Sequence, residues 1–371
     1  MNKELTLGTV EVSDAFEAME LFWRNNWTDG LPIVPPTEEK VAQFLDYVSL
    51  APDTTIAEVA ERAASVTAEM VAVNAVMAGC LPEYMPVVIA AIRAVTDPEF
   101  HFNHLASLGS PWPLLIINGP IVKKLNFNSG LYLFGPGNRA NATVGRAMSL
   151  ILWNCLDVKP GGILRGCLGH PGRWAFCIAE NEDSPWEPLH VIEGFDKNTS
   201  TVTAFPSTDG TRRVGPFYRQ PKPVLDALAF HISAAEFVRG PYLVVINPQV
   251  ATQIFAAQGW SKRDVVKYLE GNCRLSVADL KRISRWAWWG DYVANDPPAI
   301  EPGDDSRFIY LFHDPPGQDK YVDLVFPRAT RERKTGIMVV VGGGNASNIM
   351  YVLRPNISTT SPVTKAIETP D

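Results

Sequence analysis

Leu114-Leu115-Ile116-Ile117-Asn118 is a short apolar run that stops at Gly119-Pro120, and it predicts a buried strand, although so short a run also fits a helix. A helical pattern follows at Asn141 to Leu156, and Trp174 to Ala179 then predicts a second strand. Strands and helices continue to alternate loosely along the chain. This order favours an α/β or α+β fold with a mixed sheet and flanking helices over a regular doubly wound fold.

Apolar residues at helical spacing predict further helices before this region. Asp14 to Asn25 is an amphipathic pattern, and a longer pattern from Ile56 to Val95 breaks at Gly79-Cys80-Leu81-Pro82 and at Pro86. The other predicted helices are 37–45, Val224 to Phe237, Gln249 to Gln258, Lys262 to Glu270 and Val277 to Trp288, and the other predicted strands are Thr201 to Phe205, Tyr242 to Ile246, Phe308 to Phe312, Tyr321 to Phe326 and Ile337 to Val341.

The length of 371 residues fits one large domain or two closely packed ones. Prolines and glycines cluster between Phe205 and Pro223, which predicts a boundary there. Residues 1–205 would then form a helical and α/β region that carries the active site, and residues 206–371 a C-terminal α/β region. A long surface loop inside one domain explains the same cluster equally well.

The charge pattern bears on partners and location. A net charge of −7 argues against a non-specific nucleic-acid binder, which needs a basic face. The polar, acidic start does not resemble a secretion signal, and the apolar segments fall short of the roughly 20 residues that cross a bilayer. Five cysteines without regular spacing predict reduced thiols, and therefore a cytoplasmic protein. The number of subunits stays open, with a homo-oligomer as one alternative.

Cys80 is the first candidate for chemistry. Gly79 can end one helix and Pro82 or Pro86 can open the next, which would place the thiol at a helix N-terminus where the thiolate is favoured. The neighbouring Glu83 and Tyr84 could move a proton. The alternative is that Cys80 is a small hydrophobic residue buried at a helix junction.

The second candidate is the segment from Cys167 to His190, which holds two thiols, two imidazoles and several carboxylates. Cys177 lies in a predicted strand and would face either the core or a pocket. Glu180 and Glu182 follow at the strand end, where paired carboxylates could perform acid–base chemistry, or could instead belong to a solvated turn. His170 and His190 are the titratable rings of this segment.

Metal ligation is a weaker interpretation. Cys167 with His170, and His101 with His104, have the two-residue gap that ligand pairs often use. The sequence contains no CxxC or HExxH motif, so no metal and no cofactor are predicted. A metal-dependent lyase or hydrolase is kept as an alternative function.

The third candidate is a glycine-rich stretch from Gly135 to Arg146 that runs into a helix. Arg139, Arg146 and the start of that helix near Asn141 could hold a carboxylate or phosphate, or the stretch could be a structural loop with an asparagine cap.

Two residues of a proline-rich loop are also candidates for substrate binding. Trp27 could line an apolar pocket, and Asp29 is the one charge in an apolar stretch, so it must be paired or protonated if it is buried.

Several long motifs resemble a poorly characterised bacterial family associated with UGSC-type (seleno)cysteine proteins. The motifs are Trp27 to Thr37 (WTDGLPIVPPT), Asn74 to Pro86 (NAVMAGCLPEYMP), Gly169 to Gly172 (GHPG) and Phe176 to Gly194, which includes SPWEPLH. The resemblance implies an enzyme that acts through thiols, with a UGSC-type cysteine protein as a partner. This chain lacks a Cys-Gly-Ser-Cys sequence and would be the companion protein. The family pattern often lacks cysteine at the position of Cys167, which leaves Cys80 and Cys177 ahead.

These observations lead to one function hypothesis with two alternatives. We expect a cysteine-dependent lyase or oxidoreductase that acts on a small anionic substrate by thiol-based cleavage, addition or reduction. Cys80 would supply the thiolate, Glu180 or Glu182 would handle protons, and Arg139 or Arg146 would orient the anion. The alternatives are the metal-dependent enzyme and a non-catalytic subunit or scaffold for a cysteine-rich partner.

Overall fold

The computed structural model describes residues 5–214, 219–234, 237–283, 306–314, 335–345, 349–355 and 361–370. These residues contain a mixed seven-stranded sheet flanked by helices, which confirms the predicted fold class. The chain divides into two compact units. Unit 1 comprises residues 1–180, 188–206 and 362–371, and unit 2 comprises residues 181–187 and 207–361.

The helices of the described ranges are α1 (Ala15–Arg24), α2 (Glu38–Tyr47), α3 (Ala68–Ala78), α4 (Met85–Val95), α5 (Ile121–Lys124), α6 (Arg139–Cys155), α7 (Leu189–Ile192), α8 (Pro221–Ala234), α9 (Lys262–Asn272) and α10 (Val277–Arg282). The strands are β1 (Thr55–Val59), β2 (Ala64–Thr67), β3 (Trp112–Asn118), β4 (Cys177–Ala179), β5 (Thr201–Val214), β6 (Pro241–Ile246), β7 (Arg274–Ser276), β8 (Phe308–Tyr310), β9 (Gly336–Val341), β10 (Ile349–Pro355) and β11 (Val363–Ala366).

Unit 1 is built around a βαβ arrangement. Strands β3 and β4 pair in parallel, with Leu115 opposite Cys177, and α6 lies between them in sequence. Every residue of β3 is buried, which explains its continuous apolar sequence. Strand β3 neighbours the part of β5 in this unit, and β11 pairs with β5 on Thr201 to Ala204.

Helices α3 and α4 supply much of the hydrophobic core of unit 1. Thr67 caps α3 by accepting a hydrogen bond from the Met70 amide, and Gly79 ends the helix in the left-handed region at φ 86°. Almost every residue of both helices is buried, because each is apolar around most of its circumference. The predicted break at Gly79 is confirmed.

Helix α6 approaches the segment before β4 unusually closely. A Cβ atom added to Gly145 would lie 2.6 Å from the backbone nitrogen of Phe176, so only glycine permits this packing. Asn138 caps the helix by accepting a hydrogen bond from the Asn141 amide at 3.0 Å. The contact fixes α6 against the strand that carries Cys177.

Unit 2 combines parallel and antiparallel pairing. Strand β10 pairs antiparallel with β6 and with the 207–214 part of β5, and β6 pairs in parallel with β9. The core of this unit is a separate hydrophobic cluster that includes Tyr242, Phe255 and Val339.

Three element predictions were wrong in detail. The pattern from Ile56 begins with an antiparallel hairpin of β1 and β2, because Ala63 adopts the left-handed conformation at φ 47° and turns the chain back. The strand predicted from Trp174 is shorter and begins at Cys177, since a turn of 3₁₀ helix at Pro171–Arg173 precedes it. The helix predicted over Gln249 to Gln258 is a π-helix at Val250–Phe255 followed by a 3₁₀ turn at Ala256–Gln258.

The strand predicted over Thr201 to Phe205 is longer and extends to Val214 as β5, so the first part of the predicted boundary stretch is a strand. The other predicted elements agree in position where the structure describes them. The predicted strand Tyr321 to Phe326 and the end of the predicted helix Val277 to Trp288 lie outside the described residues. No helix within the described ranges is long and apolar enough to cross a membrane.

Candidate active site

Unit 1 contains a cavity of about 500 Å³ between the start of β3, the middle of α6 and the loop that connects α6 to β4. This volume falls in the range typical of small-molecule sites. Its lining is mostly apolar, with a few polar groups, and consists of Asp29, Ser110, Trp112, Ser149, Trp153, Val158, Pro160, Leu164, Gly166, Leu168, Gly169, His170, Pro171, Arg173 and Trp174. We call it the Trp112 cavity.

Arg173 is the positive group of the Trp112 cavity. Its three guanidinium nitrogens are buried, and none has a hydrogen-bond partner among the described residues. The guanidinium carbon lies over the Trp112 ring, 4.3 Å from the ring centroid. Burial lowers the pKa of Arg173 to about 10, so the group keeps its charge at neutral pH. A buried charge without a partner is costly, and a guanidinium is a group that can pair with an anion.

Ser110 adds a second unsatisfied polar group to the cavity wall. The residue is 2% exposed, and its hydroxyl oxygen has no hydrogen-bond partner among the described residues. Its backbone is left-handed at φ 53°, which is uncommon for a residue other than glycine. A Cβ atom on Gly166 would lie 1.6 Å from the Ser110 oxygen, so Gly166 leaves the space that this hydroxyl occupies.

His170 presents its ring to the same cavity. The residue is 8% exposed, and its Nδ1 atom accepts a hydrogen bond from the Gly172 amide at 2.9 Å. An acceptor nitrogen carries no proton, so the neutral ring holds its proton on Nε2. The ring also packs against Phe176, with 5.3 Å between the ring centroids. His170 was predicted from the sequence, and the structure places it beside Arg173 in one turn of 3₁₀ helix.

Asp29 lines the cavity as half of an ion pair. Arg146 donates from Nε and Nη2 to the two carboxylate oxygens at 2.9 and 2.8 Å. Burial alone would raise the pKa of Asp29, but the hydrogen bonds and charge of Arg146 outweigh it and lower the pKa. Arg146 was predicted to orient an anion, and in the structure its guanidinium is paired with Asp29.

The glycine-rich stretch does not form the predicted anion site. Arg139 donates from Nε and Nη2 to the carbonyl oxygen of Gly79 at 3.1 and 3.0 Å. Asn141 accepts from the Asn128 amide and donates to the carbonyl oxygens of Asn128 and Cys177. Both side chains tie loops to α6, so the stretch is the structural loop with an asparagine cap.

Cys80 and Cys177 are core residues of unit 1. Burial raises the pKa of Cys80 to about 12, against smaller opposing effects of Thr143 and Arg139. Burial, together with nearby Cys80, also raises the pKa of Cys177. The expected low-pKa thiolate at Cys80 is wrong, since Pro82 opens only a three-residue 3₁₀ turn and the thiol is desolvated.

The residues beside Cys80 share its environment. Tyr84 is buried and packs against Phe127, with 6.2 Å between the ring centroids. Burial raises the pKa of Tyr84. Glu83 occupies the same 3₁₀ turn and is partly buried. This arrangement keeps Tyr84 protonated at neutral pH, and neither Glu83 nor Tyr84 is among the residues that line the Trp112 cavity.

The predicted carboxylate pair is divided between the two units, with Glu180 in unit 1 and Glu182 in unit 2. Glu180 is 1% exposed, and its Oε2 atom accepts from the Asn118 side chain at 2.8 Å and from the Leu189 amide at 2.6 Å. Glu180 therefore joins the end of β3 to the start of α7.

The last two predicted site residues, His190 and Trp27, make contacts with other residues of unit 1. His190 is fully buried, with Nε2 3.3 Å from the carbonyl oxygen of Lys197. Trp27 packs edge-on against Phe22, with 5.4 Å between the ring centroids, and Trp27 is exposed.

Metal-ligating side chains do not cluster within the part of the chain that the structure describes: no group of three or more His, Cys, Asp or Glu could hold a metal ion there. The rings of His101 and His104 stack on each other at 5.6 Å. Cys167 is exposed on the loop that also carries Gly166 and Leu168.

Arg173, Ser110 and Trp153 line the cavity and were not predicted from the sequence. Arg173 could have been found by the criterion that selected Asp29, because it is the lone charge in Gly172-Arg173-Trp174-Ala175-Phe176. No sequence pattern points to Ser110, because it is notable only for its buried, unpaired hydroxyl.

The fold and the cavity define an α/β protein with an apolar, guanidinium-bearing site in unit 1. No protein-family model, curated protein or solved structure matches the chain.

Proposed function

We propose that the chain is an enzyme that binds a small anionic molecule in the Trp112 cavity, with Arg173 as the anion receptor. The observation that carries this proposal is the set of three buried, unpaired guanidinium nitrogens of Arg173. A carboxylate can accept two parallel hydrogen bonds from a guanidinium, and such charge-assisted bonds are roughly twice as strong as bonds between neutral groups. An anion would thus remove the cost of the buried charge.

The second part of the proposal concerns proton transfer. His170 is the titratable ring that lines the cavity, and the Gly172 amide holds it in the form with the proton on Nε2. Imidazole exchanges protons near neutral pH, which makes it the commonest general acid or base. We assign His170 the role of proton donor or acceptor toward the bound anion.

The burial of the thiols does not support a cysteine nucleophile. Cys80 and Cys177 belong to the hydrophobic core of unit 1, and burial raises the pKa of each thiol, so the reactive thiolate is disfavoured. The proposal keeps the small anionic substrate of the sequence hypothesis and replaces its nucleophile by acid–base chemistry at His170.

The test is ligand-dependent thermal stabilisation with a panel of small carboxylates and phosphates. We expect at least one anion to raise the Tm of the wild type, because a ligand that binds only the native state stabilises it. The same anion should leave the Tm of Arg173→Met unchanged, because this variant lacks the guanidinium that binds the anion. Arg93→Met is the matched control, since Arg93 is an exposed arginine of unit 1 paired with Glu368. Equal stabilisation of wild type and Arg173→Met would contradict the proposal.

A His170→Gln variant tests the second part separately. Glutamine retains a hydrogen-bonding group but does not titrate near neutral pH. We expect this variant to bind the same anion with affinity similar to that of the wild type and to lose turnover. Full turnover in His170→Gln would contradict the proton-transfer role of His170. It would not contradict the proposed anion site at Arg173.

A further inference from the structure

We infer that the ligand of the Trp112 cavity is a monocarboxylate with a flat, apolar body. This inference rests on the proposed function and names the chemical class of its substrate. Three features of the cavity lead to it: its net charge, the geometry of its donors and the nature of its walls.

The net charge of the lining favours a single negative charge. Asp29 is neutralised by the two hydrogen bonds of Arg146, which leaves Arg173 as the cation without a counter-charge among the described lining residues. A doubly charged ligand would bring one uncompensated negative charge into an apolar site, which is costly. One guanidinium therefore matches one carboxylate.

The donors have the geometry of a carboxylate site. The Arg173 guanidinium carbon lies over the Trp112 ring, and its N–H groups, which point outward from the edge of the guanidinium plane, have no hydrogen-bond partner among the described residues. That edge is a fork that fits two carboxylate oxygens. The buried, unpaired hydroxyl of Ser110 adds one neutral donor to the same cavity. A guanidinium fork also binds phosphate, but many phosphate sites add several backbone amides at a helix start, and Pro171–Arg173 is only one 3₁₀ turn.

The walls favour a flat, apolar body. Three tryptophans, Trp112, Trp153 and Trp174, line the cavity together with Val158 and Leu164. Trp153 is held in place by a hydrogen bond from its ring nitrogen to the carbonyl oxygen of Asn26 at 2.9 Å. Aromatic surfaces gain most from ligands that can stack on them or meet them edge to face. An aromatic or other planar ring satisfies this condition better than a flexible chain.

The test is isothermal titration calorimetry of the full chain with five probes, namely 2-naphthoate, its neutral amide, hexanoate, terephthalate and inorganic phosphate. We expect 2-naphthoate to bind tightest, about tenfold tighter than hexanoate, and its amide to bind at least tenfold more weakly because it lacks the charge. Terephthalate and phosphate should bind more weakly than 2-naphthoate.

Two variants locate the probe in the cavity. Ser110→Ala should weaken 2-naphthoate about fivefold to tenfold through loss of one hydrogen bond to a charged group. Trp174→Ala should weaken 2-naphthoate more than hexanoate, and because Trp174 is 55% exposed its replacement leaves the core intact. Arg93→Met should change neither affinity.

The outcomes separate this inference from the proposed function. If phosphate or terephthalate binds tightest and Arg173→Met abolishes that binding, the anion site stands and the monocarboxylate assignment is overturned. If hexanoate equals 2-naphthoate, the flat-body assignment is overturned. If no probe binds, or if Arg173→Met binds 2-naphthoate as well as the wild type, both proposals are overturned.

Discussion

The guanidinium of Arg173 lies over the indole ring of Trp112, 4.3 Å from its centroid, and none of its three nitrogens has a hydrogen-bond partner among the described residues. Contact with an aromatic face recovers about 0.5–2 kcal/mol for such a cation, less than the cost of burying its hydrogen-bonding groups without partners. The buried guanidinium therefore carries a net cost in the free protein. A bound anion would offset that cost.

Replacing Arg173 by methionine should stabilise the free protein. Methionine keeps most of the packing against Trp112 and removes the unpaired charge, so we expect the free energy of unfolding to rise by on the order of 1 kcal/mol. Urea unfolding followed by tryptophan fluorescence measures the change. A clear loss of stability in Arg173→Met would show that the guanidinium has structural partners and would weaken the case for an anion receptor.

The Asp29–Arg146 pair should contribute a pH-dependent part of the stability of unit 1. The pKa of Asp29 is lowered in the folded protein, so its contribution is fully present above the unfolded pKa of about 3.9. That contribution should be lost as the pH falls through the lower folded pKa. Thermal unfolding between pH 7 and pH 3 measures it, with the Asp29→Asn variant as the reference.

The variant Asp29→Asn should also lower stability at pH 7. It leaves the Arg146 side chain, which is 15% exposed, without its carboxylate partner, and we expect a loss of about 2 kcal/mol after allowance for partial exposure. The difference in stability between wild type and Asp29→Asn should become smaller as the pH falls below about 3.9. If their difference were the same at pH 7 and at pH 3, the ion pair would not be the cause.

The thiols should differ sharply in reactivity. Cys167 is exposed, whereas Cys80, Cys177 and Cys273 are buried and burial raises the pKa of each. We expect iodoacetamide at pH 8 to modify Cys167 in the folded protein and the three buried thiols only after unfolding. Peptide mass spectrometry reads each site. Rapid modification of Cys80 in the folded protein would show that its thiol is accessible and would support Cys80 as a nucleophile.

Two Gly→Ala substitutions in helices should have opposite effects. At Gly145 the new Cβ would lie 2.6 Å from the Phe176 backbone nitrogen, so we expect a loss of about 1–3 kcal/mol from overpacking. Gly271 is exposed in α9 and has no atom within 4 Å of such a Cβ, so alanine should stabilise the helix by about 0.5 kcal/mol. Thermal unfolding of both variants gives the comparison. Stabilisation by Gly145→Ala would contradict the close approach of α6 to Phe176.

The fold was predictable where a local pattern agrees with the final packing. Strand β3 is apolar at nearly every position because it is buried on both faces, and Gly79 ends α3 because it can adopt the left-handed conformation. The hairpin of β1 and β2 was not predictable, since its alanines and glutamate also suit a helix. The turn at Ala63 and the pairing with β2 decide the conformation there.

The site was predictable only in part, because burial cannot be read from one segment. His170 and Asp29 were identified from the sequence, and both line the cavity. The sequence indicates that Cys80 lies at a helix end, which favours a thiolate. It does not show that the folded protein buries the thiol, and that burial raises the pKa of Cys80. Ser110 and Trp112 reach the cavity through the packing of β3 against the loop of Arg173, a long-range relationship without a local pattern.

Calorimetric titration of the wild type and of Arg173→Met with 2-naphthoate at pH 7 decides whether Arg173 holds the anion. We expect saturable binding of one ligand to each wild-type chain and loss of that binding in the variant. Binding of equal affinity by both proteins, or no binding by either, would contradict it.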